Sequence, residues 1–184
     1  MKHISILIGL ILFSSIASGQ SIYKGLTYEM SPDEAKQEYK SNKDDYKSID
    51  LGNGFVYRTY RQNFEYQNNR LVGLLLTPKG SALGQSYRSA KNHLIYTRNF
   101  FEDLGYTTFI DNKWWNAPHN YVNSGSKYGL VLRNREKDRI IQLYPVEVQN
   151  NFLVHLQIWH YDTWMGLYKR SNKQRNEKVE DSGF

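Results

Sequence analysis

The chain has 184 residues, with 24 Lys and Arg against 18 Asp and Glu, and a formal net charge of +6 at pH 7. These basic residues are spread along the chain, so they do not form the clustered basic surface that nucleic-acid binding requires. The chain has no cysteine, so disulfides are excluded, and packing of its 15 Tyr, 8 Phe and 4 Trp must stabilise the fold.

The first nineteen residues have the pattern of a secretory signal peptide. Lys2 gives a basic start, an apolar run extends from Ile4 to Phe13, and small residues occupy positions 17–19 before Gln20. The apolar run is shorter than the about 20 residues of a membrane-spanning helix, and small residues are typical of a cleavage site. We therefore predict cleavage near Gln20 and an exported, soluble chain, periplasmic or extracellular, without a membrane span. The alternative is an uncleaved membrane anchor.

Residues 20–80 are predicted to form a first unit, in which one helix is followed by three antiparallel strands. Ser31 can cap the helix, Pro32 fits its first turn, and Glu34 stands three residues after Ser31, as in a capping box. The helix is expected to end near Ser41.

The stretch from Phe55 to Thr77 is predicted to form a long antiparallel hairpin at the centre of the fold. Runs rich in β-branched, aromatic and leucine residues flank the polar triplet 67–69. Asparagine tolerates the positive φ that a tight hairpin turn needs. An edge strand is expected just before this hairpin, from Tyr46 to Leu51.

Residues 86–168 are predicted to form a second unit with a helix, four strands and a short C-terminal helix. Apolar residues recur every three or four positions from Tyr87 to Leu104, and Gly105 ends this helix. Asp162 is expected to cap the short final helix, and 169–184 to be a mobile polar tail. The strands are predicted at 106–110, 128–132, 140–148 and 152–161.

The order of a helix followed by strands thus occurs twice. We predict an α+β fold in which two helix-then-antiparallel-strands units form a two-layer helix-on-sheet domain. A boundary between the units is expected at 80–85, and the two sheets are expected to meet edge to edge or face to face.

A long aromatic loop, 111–127, carries the strongest recognition signal. Long loops in compact domains are often functional, and adjacent tryptophans offer flat faces to a sugar ring or a protein partner. The alternative is that these indoles fill a sheet edge or the gap between units. Tyrosines are interleaved with arginines on the first hairpin strand, and they offer a second surface for recognition. The alternative is that they belong to an ordinary protected sheet. The candidate binding residues are Trp114, Trp115, His119 and Tyr121 in the loop, and Tyr57 and Tyr60 on the strand.

The sequence predicts no catalytic residue, no metal site and no cofactor. His155 and His160 are five residues apart in a predicted strand, so they point to opposite faces and do not share a metal. His160 and Asp162 make at most one pair on a common face. Phosphate-binding glycine loops, a nucleophile elbow and the HExxH spacing are missing from the sequence. The sequence leaves open a catalytic dyad whose two residues are far apart in the chain and close together in the fold.

Basic and acidic residues alternate in the turn near 133–139. Because Glu136 and Asp138 nearly balance the local charge, we interpret this stretch as a solvated turn, with an anion site as the alternative. The basic residues are Arg133, Arg135, Lys137 and Arg139.

Two stretches, GLTYEMSPDEAKQEY at 25–39 and FEYQNNRLVGLLL at 64–76, resemble small exported envelope proteins of the BamE/SmpA and β-lactamase-inhibitor-like architecture. In those proteins a short capped helix precedes an antiparallel sheet, and tandem copies occur. The chain is also similar to exported bacterial proteins that pair this unit with a second half containing a Trp-Trp pair. It lacks the lipidated cysteine of the BamE pattern.

The resemblance implies a non-enzymatic binding module of the bacterial envelope. Its role would be protein-binding or inhibitory, with another envelope protein as its partner. The alternative is a carbohydrate-binding or carbohydrate-modifying protein that uses the aromatic loop to hold a glycan.

Overall fold

The computed structural model describes residues 20–80, 84–111 and 129–181, with side chains up to 174. The described part combines four α-helices with a large antiparallel sheet and a small two-stranded one. Its helices span Pro32–Ser41 (α1), Lys43–Lys47 (α2), Tyr87–Asp103 (α3) and Tyr161–Asp181 (α4). Its strands span Ser21–Tyr23 (β1), Leu26–Thr27 (β2), Ile49–Asp50 (β3), Val56–Arg58 (β4), Phe64–Gln67 (β5), Arg70–Pro78 (β6), Thr107–Asp111 (β7), Leu130–Asn134 (β8), Arg139–Val148 (β9) and Asn151–His160 (β10).

The large sheet joins the two halves of the chain. Its strand order is β3-β4-β6-β10-β9-β8-β7, and β5 also pairs with β6. The central step is the antiparallel pairing of β6 with β10, in which Leu76 lies opposite Leu156. The predicted α+β class is therefore confirmed, whereas the division into two helix-on-sheet units is not. Within the described residues, none of the helices is long and apolar enough to span a membrane.

The central hairpin is present, but its first arm is interrupted. Asn68 and Asn69 have φ values of 50° and 58°, as the predicted tight turn requires. A 3₁₀ turn at Arg61–Asn63 separates β4 from β5, and both strands pair with β6. The turn between β9 and β10 uses the same device, with positive φ at Gln149 and Asn150.

The predicted starts of α1 and α3 are confirmed by their caps, whereas Asp162, the predicted cap of the final helix, lies inside the first turn of α4. The Ser31 hydroxyl accepts a hydrogen bond from the Glu34 backbone N–H at 3.4 Å, and the Glu34 carboxylate accepts one from the Ser31 N–H at 2.7 Å. Ser86 caps α3, and Gly105 takes a φ of 84° just after that helix. Local hydrogen bonding therefore fixes the positions of α1 and α3.

Two predictions about elements were wrong. Tyr46 lies in α2 and not in an edge strand, because its fully buried ring packs inward and its hydroxyl donates to Glu38 at 2.9 Å. The edge strand β3 is accordingly short. The final helix was expected to end near Tyr168, before a mobile tail, but α4 continues to Asp181. Long straight-chain residues such as Lys169 favour this continuation, because they have a high helix propensity.

The core has two layers, one on each face of the sheet. Helices α1 and α3 cover one face, where Leu74, Leu132 and Leu156 are fully buried. Helix α4 packs on the opposite face, where the buried Trp164 contacts the cluster of Val131 and Ile140. Because side chains alternate along each strand, both faces of β8 and β9 are buried.

Candidate binding cleft at the β8–β9 turn

The loop residues predicted for binding, Trp114, Trp115, His119 and Tyr121, lie outside the described residues. Tyr57 lies on β4 but is fully buried, because alternation along this strand turns it inward. Its ring is therefore not part of a solvent face. Tyr60 follows β4 and is half-buried, with the Arg58 guanidinium 5.7 Å from its ring centroid.

Tyr57 belongs to a buried hydrogen-bond network between β4 and α3. Gln85 donates its amide N–H to His93 Nδ1 at 3.1 Å, so the neutral ring carries its proton on Nε2 and donates to the Tyr57 oxygen at 2.8 Å. Asn53 donates to the same oxygen at 2.8 Å and to Thr97 at 3.0 Å.

This network joins the helix to the sheet through buried polar groups. Burial lowers the pKa of His93 to about 4, so the ring is neutral near pH 7. Burial raises the pKa of the Tyr57 phenol, although hydrogen bonds from Thr97 and Asn53 oppose this. Phe55 also stacks on His93, with ring centroids 3.7 Å apart. The sequence signal for this network is the pair His93 and Thr97, which lie four residues apart on the apolar face of α3.

A cleft of about 360 Å³ lies where the end of α3, the β8–β9 turn and the start of α4 meet. Its walls carry two arginines, one carboxylate, a phenol and a threonine hydroxyl. The lining residues are Gly105, Thr107, Arg133, Asn134, Arg135, Glu136 and Tyr161.

Hydrogen bonds hold the rim of the cleft in place. The buried Asn134 side chain donates to the Gly105 carbonyl at 3.0 Å and accepts from the Lys137 backbone N–H at 2.8 Å. The Lys137 ammonium donates to the Leu104 carbonyl at 2.9 Å. Two of these contacts tie the turn to the end of α3 and the third closes the turn itself, so the backbone of the cleft rim is largely preformed.

The structure divides the basic residues of the predicted turn into two pairs. Arg133 and Arg135 line the cleft, and the described residues contain no ion-pair partner for either. The Arg133 guanidinium lies 4.9 Å from the Phe109 ring centroid, which orients it. Lys137 and Arg139 make other contacts. The Lys137 ammonium donates to the Leu104 carbonyl, and the Arg139 guanidinium donates to the Ser21 carbonyl. The cleft thus gives the anion-site alternative a geometric basis.

A second polar chain lies beside the cleft. His160 Nε2 is 2.9 Å from the Asp138 carboxylate, and His160 Nδ1 is 3.2 Å from the Thr163 hydroxyl. The histidine therefore pairs with Asp138, whereas the sequence had offered Asp162 as one possible partner on a common face. Because Tyr161 N donates to the Asp138 carbonyl at 3.0 Å, we interpret this chain as support for the start of α4.

Among the described residues, no group of three or more His, Asp or Glu side chains is placed to hold a metal ion. Comparison with protein-family models, curated proteins and solved structures finds no match to this chain. The resemblance to BamE/SmpA-like and inhibitor-like envelope proteins therefore stays a prediction.

Proposed function

We propose that this chain is an exported, non-enzymatic binding module of the bacterial envelope, and that its cleft holds a carboxylate of a protein partner. The observation that supports this most directly is the pair Arg133 and Arg135 on a preformed cleft, without ion-pair partners among the described residues. The planar guanidinium presents a fork of N–H donors that matches the two oxygens of a carboxylate.

The charge of the cleft favours a carboxylate over a phosphate. Two arginines and Glu136 give the lining a net charge of +1. A group with a single negative charge neutralises that lining, whereas a doubly charged phosphate group leaves it with a net charge of −1. The hydroxyl of Tyr161 supplies a further donor for a carboxylate oxygen. Since hydrogen bonds already hold the rim, binding does not have to order the turn itself.

The proposal is tested by capture of partners from an envelope fraction of the source organism. Residues 20–184 are immobilised, and the double variant Arg133→Ala, Arg135→Ala is compared with wild type. The matched control is Lys79→Ala, Arg88→Ala, which removes the same charge from exposed positions away from the cleft. We expect a protein that wild type and control retain and the cleft variant loses, with affinity reduced by about tenfold or more.

Equal retention of that partner by the cleft variant would refute the cleft as its site. In the same assay, Trp114→Ala, Trp115→Ala tests the predicted aromatic loop. A partner lost only with this second variant would assign recognition to the loop. If wild type retains no protein, the protein-partner proposal is wrong, and a panel of acidic and neutral glycans tests the carbohydrate alternative.

A further inference from the structure

The turn between β3 and β4 contains Asn53 followed by Gly54, and the sequence has no other Asn-Gly pair. An asparagine that precedes a glycine is open to deamidation, in which its side-chain amide is converted to a carboxylate. Because glycine has no side chain, its backbone nitrogen approaches the amide carbon of the asparagine without steric hindrance. This dipeptide is therefore the position at which the chain is chemically most open to that covalent change.

The reaction needs the two residues and water. The Gly54 nitrogen forms a bond to Asn53 Cγ and gives up its proton, while the bond from Cγ to Nδ2 breaks and ammonia leaves. The product is a cyclic succinimide. Water then adds to one of the two carbonyl carbons of this ring and breaks the bond of that carbon to the Gly54 nitrogen. The result is aspartate or isoaspartate, and in both a hydroxyl group has replaced the amino group of the amide.

Hydrogen bonds hold both ends of the Asn53 amide. Its Nδ2 donates to the Tyr57 oxygen at 2.8 Å and to the Thr97 hydroxyl at 3.0 Å. Its Oδ1 accepts from the Phe55 backbone N–H at 3.2 Å. Asn53 is also 7% exposed, so it is buried. Because the nitrogen that must leave donates two buried hydrogen bonds, the side chain has to leave the network before the reaction proceeds.

The two reacting groups lie in different environments. Gly54 is exposed, with open space around the position that a Cβ would take. The Asn53 side chain instead points inward to Thr97 on α3. Gly52 and Gly54 have φ values of 85° and 82°, so the turn depends on a glycine on each side of Asn53. The fold thus keeps the attacking residue at the surface and the amide that it attacks in the interior.

We propose that Asn53 is a deamidation site, and that opening of the network between β4 and α3 controls its rate. In the native chain the rate equals the rate in the open state multiplied by the fraction of molecules in that state. Each hydrogen bond of the Asn53 amide lowers this fraction, because it stabilises the closed state. Native packing therefore protects a dipeptide that reacts readily in the unfolded chain.

The product does not fit the network that Asn53 completes. A carboxylate at this position has no N–H to donate to Tyr57 or Thr97, and it carries a charge in a buried place. An isoaspartate also adds a carbon atom to the backbone of the turn. Because ammonia has left, closure of the network does not reverse the change. Deamidation thus converts a transient opening into a lasting loss of stability.

The test follows deamidation of Asn53 in residues 20–184 by peptide mapping and mass spectrometry during incubation at neutral pH. We expect the reaction to be slower by about tenfold or more in native buffer than in denaturing urea. Tyr57→Phe removes one acceptor of the Asn53 amide, so it should speed the native reaction by about tenfold and leave the rate in urea unchanged. The matched control is Tyr96→Phe, at an exposed position on α3, which should change neither rate.

Three results would each overturn the proposal. They are the lack of a product at Asn53 in urea, equal rates in native buffer and in urea, and equal native rates for wild type and Tyr57→Phe. If Tyr57→Phe does not fold, Thr97→Val removes the other acceptor with little change of shape and should also speed the native reaction. An unchanged native rate in that folded variant would show that the network does not control deamidation.

Discussion

Replacement of Tyr57 by Phe removes a single oxygen atom from the network that joins β4 to α3. That oxygen accepts hydrogen bonds from His93 Nε2 and Asn53 Nδ2, each at 2.8 Å, and lies 3.5 Å from the Thr97 hydroxyl. Tyr57 is fully buried, so water does not replace the lost partner. The phenyl ring keeps the packing, and the change therefore isolates the hydrogen bonds.

The expected cost follows from the partners left behind. Asn53 Nδ2 keeps its hydrogen bond to Thr97 at 3.0 Å, so it stays partly satisfied. His93 is fully buried and loses the partner of its Nε2–H. One buried donor without an acceptor costs about 1–3 kcal/mol. We therefore expect Tyr57→Phe to lower the free energy of unfolding by about 2 kcal/mol.

Urea denaturation followed by circular dichroism measures this change. The control is Tyr96→Phe on α3, which removes the same oxygen from a side chain that is 59% exposed. We expect the control to lie within about 0.5 kcal/mol of wild type. A loss below that value for Tyr57→Phe, or an equal loss in the control, would refute the assignment of a stabilising role to the network.

Two further predictions concern pH and backbone conformation. Because burial lowers the pKa of His93 from 6.5 to about 4, the unfolded chain binds the proton more readily. The free energy of unfolding should therefore fall, by up to about 3 kcal/mol, as the pH is lowered from about 6.5 to about 4. In urea denaturation at a series of pH values, His93→Gln should lack this part of the pH dependence. The same dependence of the free energy of unfolding on pH in wild type and variant would contradict the prediction. Gly105 has a φ of 84°, so Gly105→Ala should destabilise by about 1 kcal/mol. Gly166→Ala, inside α4 with open space around it, should be neutral or stabilising, and thermal unfolding compares the two.

Features determined by neighbouring residues were predictable from the sequence. The cap at Ser31 and the turn at Asn68 and Asn69 depend on a few adjacent side chains, and both are present. The pairing of β6 with β10 was not predictable. Alternation of apolar and polar residues shows which side chains share one face of a strand, but it does not show which strand lies next to it. The burial of Tyr46 escaped prediction for the same reason, since its partner Glu38 lies on a different helix.

The candidate sites were predictable only in part. The sequence singled out the basic turn at 133–139 but favoured a solvated turn over an anion site. The cleft also needs Tyr161, which the pairing of β9 with β10 brings close.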